Sequence, residues 1–293
     1  VRATRDAEPG RAAPLRRSAG VPLVRGAEPG RAAPRRRSAG RPRVLLVGGL
    51  EPAGRAGLLA DAEAVRARGG VPLVVATAVT AQGRRTFAWR TVVPALITAQ
   101  IHALRELGPV HAVKLGMLPG KGQLRAVQRA LEGLRVPWVV DPVVQASSGG
   151  RLSGLGRRDY LVLAGSDVWL TPNAVEAAWL LGLPRLANTH EARRASELLE
   201  ALGFEGVVVK GGHLPGRGVT DVLAWKGRTR SFRGARLPRG PEHRGSGCRF
   251  ASVLATELGR GASVARAVAR ARAVVRRSLG LAGDDARSNA RVR

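Results

Sequence analysis

The sequence predicts an α/β fold with a mostly parallel central sheet, covered by helices on both faces. Two observations predict it. From Val44 onward, short runs rich in Val and Leu alternate with longer segments whose apolar residues recur at spacings of three and four. The short runs are apolar at consecutive positions, as in strands buried on both sides, where a sheet with one wet face would alternate. In such folds ligands sit beyond the carboxyl ends of the strands, and the unusual residues of this chain fall there.

Taken in order, Val44–Val47 is a strand running into Gly48-Gly49, read as a glycine turn, and Ala56–Arg68 is a helix presenting Leu58, Leu59, Ala62 and Val65. Val71–Ala78 is a second, β-branched strand. Pro94–Leu107 is a helix with Leu96, Ile97, Ile101 and Leu104 on one side. A strand at Val110–Leu115, a helix at Leu124–Leu134 and a strand at Trp138–Val140 follow. Val168–Leu170 is a strand entering Thr171-Pro172-Asn173. Glu191–Leu202 is a helix with Asn188 as a candidate cap. Gly206–Val209 is a strand ending at Lys210-Gly211-Gly212. Val222–Trp225 and Thr229–Phe232 flank Lys226-Gly227 as a hairpin. Two helices, Arg249–Leu258 and Val264–Leu279, close the pattern.

The chain has 293 residues, 44% of them hydrophobic, enough for one large domain with a buried core. That domain is expected over 44–280. Residues 1–43 carry a near repeat, Ala7–Gly20 and Ala27–Gly40, rich in Pro, Gly, Ala and Arg. They are expected to form a disordered basic tail, because such a composition buries too little surface to offset ordering entropy. Residues 281–293 read as a polar tail. The amino-terminal segment lacks a continuous apolar stretch and does not read as a secretory signal. No run approaches the ~18 apolar residues of a membrane span. The single cysteine, Cys248, excludes an intrachain disulfide and suits a reducing cytoplasm. The formal charge of +28 is diffuse, nearly all Arg, and aromatics are only 3% of the chain. Specific nucleic-acid binding is therefore not expected, although nonspecific binding at low salt is.

Four groups carry candidate chemistry. Gly245-Ser246-Gly247-Cys248 precedes an apolar helix; its backbone N–H groups and the helix dipole favour an anion. A thiol there is expected to have a lowered pKa, helped by Arg244 and Arg249, unless Cys248 is a buried structural group. Asn173 and Glu176, one helical turn apart, suit either a capping box or the ordering of magnesium waters. Lys210 ends a strand and can neutralise phosphate charge; His213 is assigned no role. Asp141 ends another strand and could hold magnesium, orient a base or cap the loop. The segment Gly48–Gly57 matches neither a dinucleotide fingerprint nor a P-loop.

The succession GGLEPAGRAGLLAD, TAVTAQ, VKLGML, VVDPV, TPNAVEA, VVVKGGH and GSGC resembles the hydroxymethylpyrimidine/phosphomethylpyrimidine kinases, from about Val44 to Leu279. The resemblance implies a ribokinase-like three-layer α/β/α fold and a homodimer. It implies ATP and Mg²⁺ as co-substrate and cofactor, in thiamine biosynthesis. The implied reaction is phosphorylation of 4-amino-5-hydroxymethyl-2-methylpyrimidine and then of its monophosphate. Gln82 would pair with the pyrimidine, with Met117, Gly49 and Glu51 around it. Cys248 would be the base, and Gly245, Ser246 and Gly247 the anion hole. Lys210 and Asn173 would attend ATP, and Asp141 and Glu176 magnesium. The chain departs from the family pattern: Glu51, Ala53 and Arg55 replace Asp, Ser and Gly, Arg244 replaces a usual His, and Arg249-Phe250 follow the Cys. Those changes leave two alternatives open, a kinase for a pyridoxal-type alcohol and a catalytically weak binding relative.

Overall fold

A computed structural model describes residues 40–83, 86–144, 152–236 and 244–278. Both expected tails lie outside these, apart from residues 40–43, as do residues 84–85, 145–151 and 237–243. The described residues build one nine-stranded sheet in the order β3-β2-β1-β4-β5-β6-β7-β8-β9. Its strands are β1 Arg43–Leu50, β2 Val71–Gln82, β3 Phe87–Thr91, β4 Ala112–Leu115, β5 Trp138–Val140, β6 Val168–Leu170, β7 Gly206–Val209, β8 Gly218–Trp225 and β9 Arg228–Ala235. Strands β1, β2, β4, β5, β6 and β7 are parallel. The antiparallel β3 lies at one end, and β8 and β9 at the other.

The consecutive apolar residues of the strands divide between the two faces. In β1, Leu45 and Val47 join one core and Val44 and Leu46 the other, all four fully buried. On the first face the sheet packs against α2 Pro94–Glu106, α3 Lys121–Ala130, α4 Arg157–Leu161, α5 Ala174–Leu181 and α6 Thr189–Ala201. On the second it packs against α1 Gly57–Ala67, α7 Ser246–Gly259 and α8 Val264–Ser278. These are the three layers expected. Each buried Leu or Val contributes roughly 1.5–3 kcal/mol relative to exposure. No helix among the described residues is long and apolar enough to cross a membrane.

Several boundaries differ from expectation, each for a local reason. Gly48 and Gly49 do not form a turn. They continue β1, and the ladder with β2 absorbs one extra residue there: Gly48 pairs with Ala76, Gly49 with Ala78. The residue skipped, Thr77, donates its hydroxyl to the Met117 carbonyl at 2.6 Å. Strand β2 runs four residues past Ala78 because β3, unforeseen in the sequence, pairs with it from Ala78 to Gln82. The hairpin is longer than expected on both arms, and its turn has Lys226 and Gly227 both at positive φ, 51° and 67°. Such a turn matches the right-handed strand twist. Helix α7 begins three residues early, at Ser246, because Gly245 adopts φ 78° and serves as its N-cap. Asn188 caps α6 as expected, accepting the Glu191 N–H at 2.9 Å.

Candidate active site

The strand order changes direction at β1, whose neighbours β2 and β4 lead to opposite ends of the sheet. A crevice opens at the carboxyl ends beside such a point. The candidate site residues follow these strand ends: Gly49 and Glu51 at the end of β1, Gln82 ending β2, Met117 after β4, Asp141 after β5, Asn173 after β6 with Glu176 in the first turn of α5, Lys210 after β7, and Gly245–Cys248 entering α7.

The rim residues interlock. Lys210 Nζ meets Asp141 Oδ1 at 2.7 Å, and Thr171 donates its hydroxyl to the same carboxylate oxygen at 3.5 Å. Gly247 lies directly against this pair: a Cβ there would stand 3.2 Å from Lys210 Nζ and 3.6 Å from Asp141 Oδ2. A side chain at Gly245 would meet the Arg55 carbonyl at 2.2 Å, so this turn accepts only glycine. On the other side of the crevice a Cβ at Gly49 would stand 2.6 Å from Met117 Sδ, which packs with Ala78 and Leu152. The first N–H groups of α7 lack intrahelical acceptors, and Gly247 in that first turn lies against the Asp141–Lys210 pair. Such an arrangement can hold and stabilise a multiply charged anion.

The structure corrects the expected state of Cys248. Its thiol is not lowered. Burial pushes it up to about 11, against the pull of the Lys114 ammonium, and the charges of Asp61 and Asp141 push it further. The Gly57 N–H bonded to it also pulls it down, without reversing the balance. Arg249, expected to help, is turned away: its guanidinium meets Glu63 at 2.8 Å and the carbonyls of Arg55 and Arg244 at 3.3 Å.

Asn173 and Glu176 form the capping box of α5. Asn173 Oδ1 accepts the Val175 and Glu176 N–H groups, and Glu176 Oε2 accepts the Asn173 N–H at 2.7 Å. The second reading survives beside the first. Burial pushes the Glu176 carboxyl up to about 7, and Asp141 adds to the push while Lys210 opposes it. Two carboxylates in mutual repulsion beside an anion-holding turn fit a hard cation that keeps most of its waters. Among the described residues no three His, Cys, Asp or Glu side chains form a closed cage. Glu51 is buried and folded onto its own loop, where it accepts the N–H groups of Ala53 at 3.2 Å and Arg55 at 2.9 Å. Gln82 has both ends of its amide engaged, Nε2 donating to Thr80 at 3.2 Å and Oε1 accepting from Arg244.

One group escaped the sequence reading. Lys114 and Asp61 are both buried, with Nζ and Oδ2 2.7 Å apart, and Asp61 Oδ1 accepts the Ser252 hydroxyl at 2.7 Å. Burial alone would lower the Lys114 pKa; Asp61 first, then Cys248 and Asp141, outweigh it and hold it up. Ser252 is one helical turn beyond Cys248, and Asp61 one turn beyond Gly57. Helices α1 and α7 are thus joined by two rungs, Gly57 to Cys248 and Asp61 to Ser252. A lysine inside an apolar strand and an aspartate on the apolar side of a helix were the available signal.

A nine-stranded, mostly parallel sheet between two helical layers, with a glycine-lined helix start at its crevice, is the architecture of the ribokinase-like phosphotransferases. Within that class, residues 51–289 match the profile of the phosphomethylpyrimidine kinase family, and the chain belongs to it. A hydroxymethylpyrimidine/phosphomethylpyrimidine kinase of Streptomyces coelicolor is 36% identical over 237 residues, 79% of this chain and 86% of that one. A thiamine biosynthesis bifunctional protein of Geobacter sulfurreducens is 35% identical over 243 residues, 82% of this chain. The chain spans only 49% of the length of that two-function relative. The crystal structure of a phosphomethylpyrimidine kinase from Clostridium difficile superimposes with a TM-score of 0.69 at 27% identity, covering 81% of this chain and 99% of that one.

Proposed function

We propose that this chain transfers the γ-phosphoryl group of ATP to the hydroxymethyl oxygen of 4-amino-5-hydroxymethyl-2-methylpyrimidine, and then to the monophosphate so formed. The observation that carries the reading is the Gly245–Cys248 turn seated on the Asp141–Lys210 pair, in a chain of this family. The backbone donors of Ser246, Gly247 and Cys248 take the charge of the transferring group, which needs positioning and electrostatic stabilisation above all. Lys210 neutralises phosphate charge on the donor side. Cys248, in the minor thiolate form that its raised pKa leaves, accepts the proton of the acceptor hydroxyl as the new P–O bond forms and the bond to the leaving ADP breaks. Gln82 and Met117 bound the ring, with Gly49 leaving room for it. Asp141 and Glu176, with Asn173 beside them, would hold Mg²⁺ through its waters, and the ion would offset charge on the phosphates. A homodimer is the proposed working unit.

The test is ATP consumption across four acceptors: the hydroxymethylpyrimidine, its monophosphate, pyridoxal and hydroxyethylthiazole. Turnover confined to the two pyrimidines supports the reading, and preference for pyridoxal overturns it. Cys248→Ala is expected to lower pyrimidine turnover about a hundred- to ten-thousand-fold, the usual worth of a positioned base. ATP affinity is expected to hold, because the backbone donors remain. Unchanged turnover would reduce Cys248 to a structural group.

A further inference from the structure

Three arginines, Arg55, Arg244 and Arg249, gather between Gln82 and the start of α7. Arg244 donates to Gln82 Oε1, and Arg55 Nη2 donates to the Gln82 carbonyl at 3.3 Å. Arg249 Nη1 binds the carbonyls of both Arg55 and Arg244, which locks the three backbones together. The local carboxylates do not compensate this charge. Glu63 is taken by Arg249, and Glu51 by the N–H groups of its own loop. Among the described residues Arg55 and Arg244 have no acidic partner. Arg244 also carries a buried Nε with no hydrogen-bond acceptor. A buried donor left unpaired is costly, so an orphan of this kind points to an acceptor that a ligand supplies.

The position of Arg244 says which ligand. It is joined in the chain to Gly245, the start of the anion-holding turn, while its guanidinium reaches the amide proposed to read the ring. It therefore spans the gap between the ring and the transferring phosphoryl group. In a phosphorylated acceptor that gap is occupied by the acceptor's own phosphate. In the unphosphorylated alcohol it is occupied by a neutral hydroxymethyl group, and two guanidiniums gain nothing from it. Arginine suits the task because its planar fork pairs with phosphate oxygens bidentately.

We infer that Arg244, with Arg55 beside it, is a specificity-determining residue that selects an acceptor already carrying a phosphomonoester over the neutral alcohol. The inference rests on the pyrimidine kinase reading above. It makes the second phosphorylation the favoured reaction of this chain. A phosphate that draws Arg244 away would also free Gln82 Oε1 for the ring.

The experiment compares wild type with Arg244→His, Arg244→Lys and Arg55→Gly. It measures kcat and KM for the pyrimidine monophosphate, the pyrimidine alcohol and ATP, with calorimetric binding of both pyrimidines to the full chain without ATP. The expected result for Arg244→His is a fall of roughly ten- to hundredfold in the kcat/KM ratio of monophosphate to alcohol, carried by KM. Arg244→Lys should recover part of it, and Arg55→Gly should show a smaller fall in the same direction. A constant ratio overturns the inference, as does a rise confined to the KM for ATP, which would assign Arg244 to the donor phosphates. The calorimetry separates this inference from the reading beneath it. A chain that binds the monophosphate through Arg244 and phosphorylates neither pyrimidine keeps the inference and loses the reaction. A chain that phosphorylates both with an unaltered ratio in the variant keeps the reaction and loses the inference.

Discussion

Cys248 shows how a single side chain is set by groups on the elements packed around it, Lys114 on β4, Asp61 and Gly57 on α1, and Asp141 after β5. With the thiol pushed up to about 11, only on the order of one molecule in ten thousand carries thiolate at neutral pH. The buried Lys114 ammonium is the strongest counterweight on it. Removing that charge must raise the thiol further. Alkylation of Cys248 by iodoacetamide is therefore expected to be slow at pH 7 and to climb steadily toward pH 10. In Lys114→Met the climb should begin at higher pH and the rate at pH 8 should fall severalfold. An equal rate in the two proteins would show that Lys114 does not act on the thiol. At this scale the sequence was legible where a residue is exposed by its neighbours: glycines around Cys248, a polar residue at each strand tip. It was not legible for thiol acidity, because the helix start that lowers a pKa was visible and the desolvation that raises it belongs to the packed state.

Between elements, the tie from Asp61 to Lys114 and Ser252 fixes α1 against α7 and so sets the first turn of α7 in place. Breaking one member of a buried ion pair leaves a charge without a partner, which typically costs about 3–5 kcal/mol. Asp61→Ala is expected to lose stability on that scale in denaturant unfolding. Asp61→Leu combined with Lys114→Met, which removes both charges, should recover most of it. If the double replacement is as unstable as the single one, the loss comes from packing and not from the stranded ammonium. The longer helices were readable because each has one apolar face, and Asn188 announced the start of α6, whereas the five-residue α4 was not read and α5 only through its possible capping box. Strand β3 was not readable. Phe87–Thr91 is short and largely exposed, and it becomes a strand by pairing with the far end of β2, a contact that no local pattern encodes.

For the molecule as a whole, two carboxylates bend stability with pH in opposite directions. Glu176 has its folded pKa raised from 4.5 to about 7. Its contribution is full below 4.5 and is lost as pH rises through 7. Burial would raise Glu257 as well, but Arg270 and Arg68, then Arg260, outweigh it and hold it below 4.5. Its contribution is present above 4.5 and is lost as pH falls through its folded value. Glu176→Gln keeps the capping box, since glutamine serves the same position, and removes the first term. Its Tm should match wild type near pH 4.5 and exceed it by a few degrees at pH 8. A Tm difference that does not change between those pH values would show that Glu176 is neutral, or charged, throughout. The order of the strands was not written in any single segment; it follows from which apolar faces meet, and only the alternation of strand and helix was visible beforehand.

Strand β9 has one more consequence. Among the described residues it is the last strand of the sheet, and its outer hydrogen-bonding row has no neighbouring strand. An open edge of eight residues is a template on which another copy can polymerise. Here Arg228, Arg230 and Arg233 are exposed along it, and no acidic residue occurs in the strand. A second β9 laid alongside would bring guanidinium against guanidinium at successive positions, which disfavours pairing. The arginines that look like surplus charge thus keep the sheet finite, and copies of this chain crowded together during refolding are blocked from growing into one another at that end.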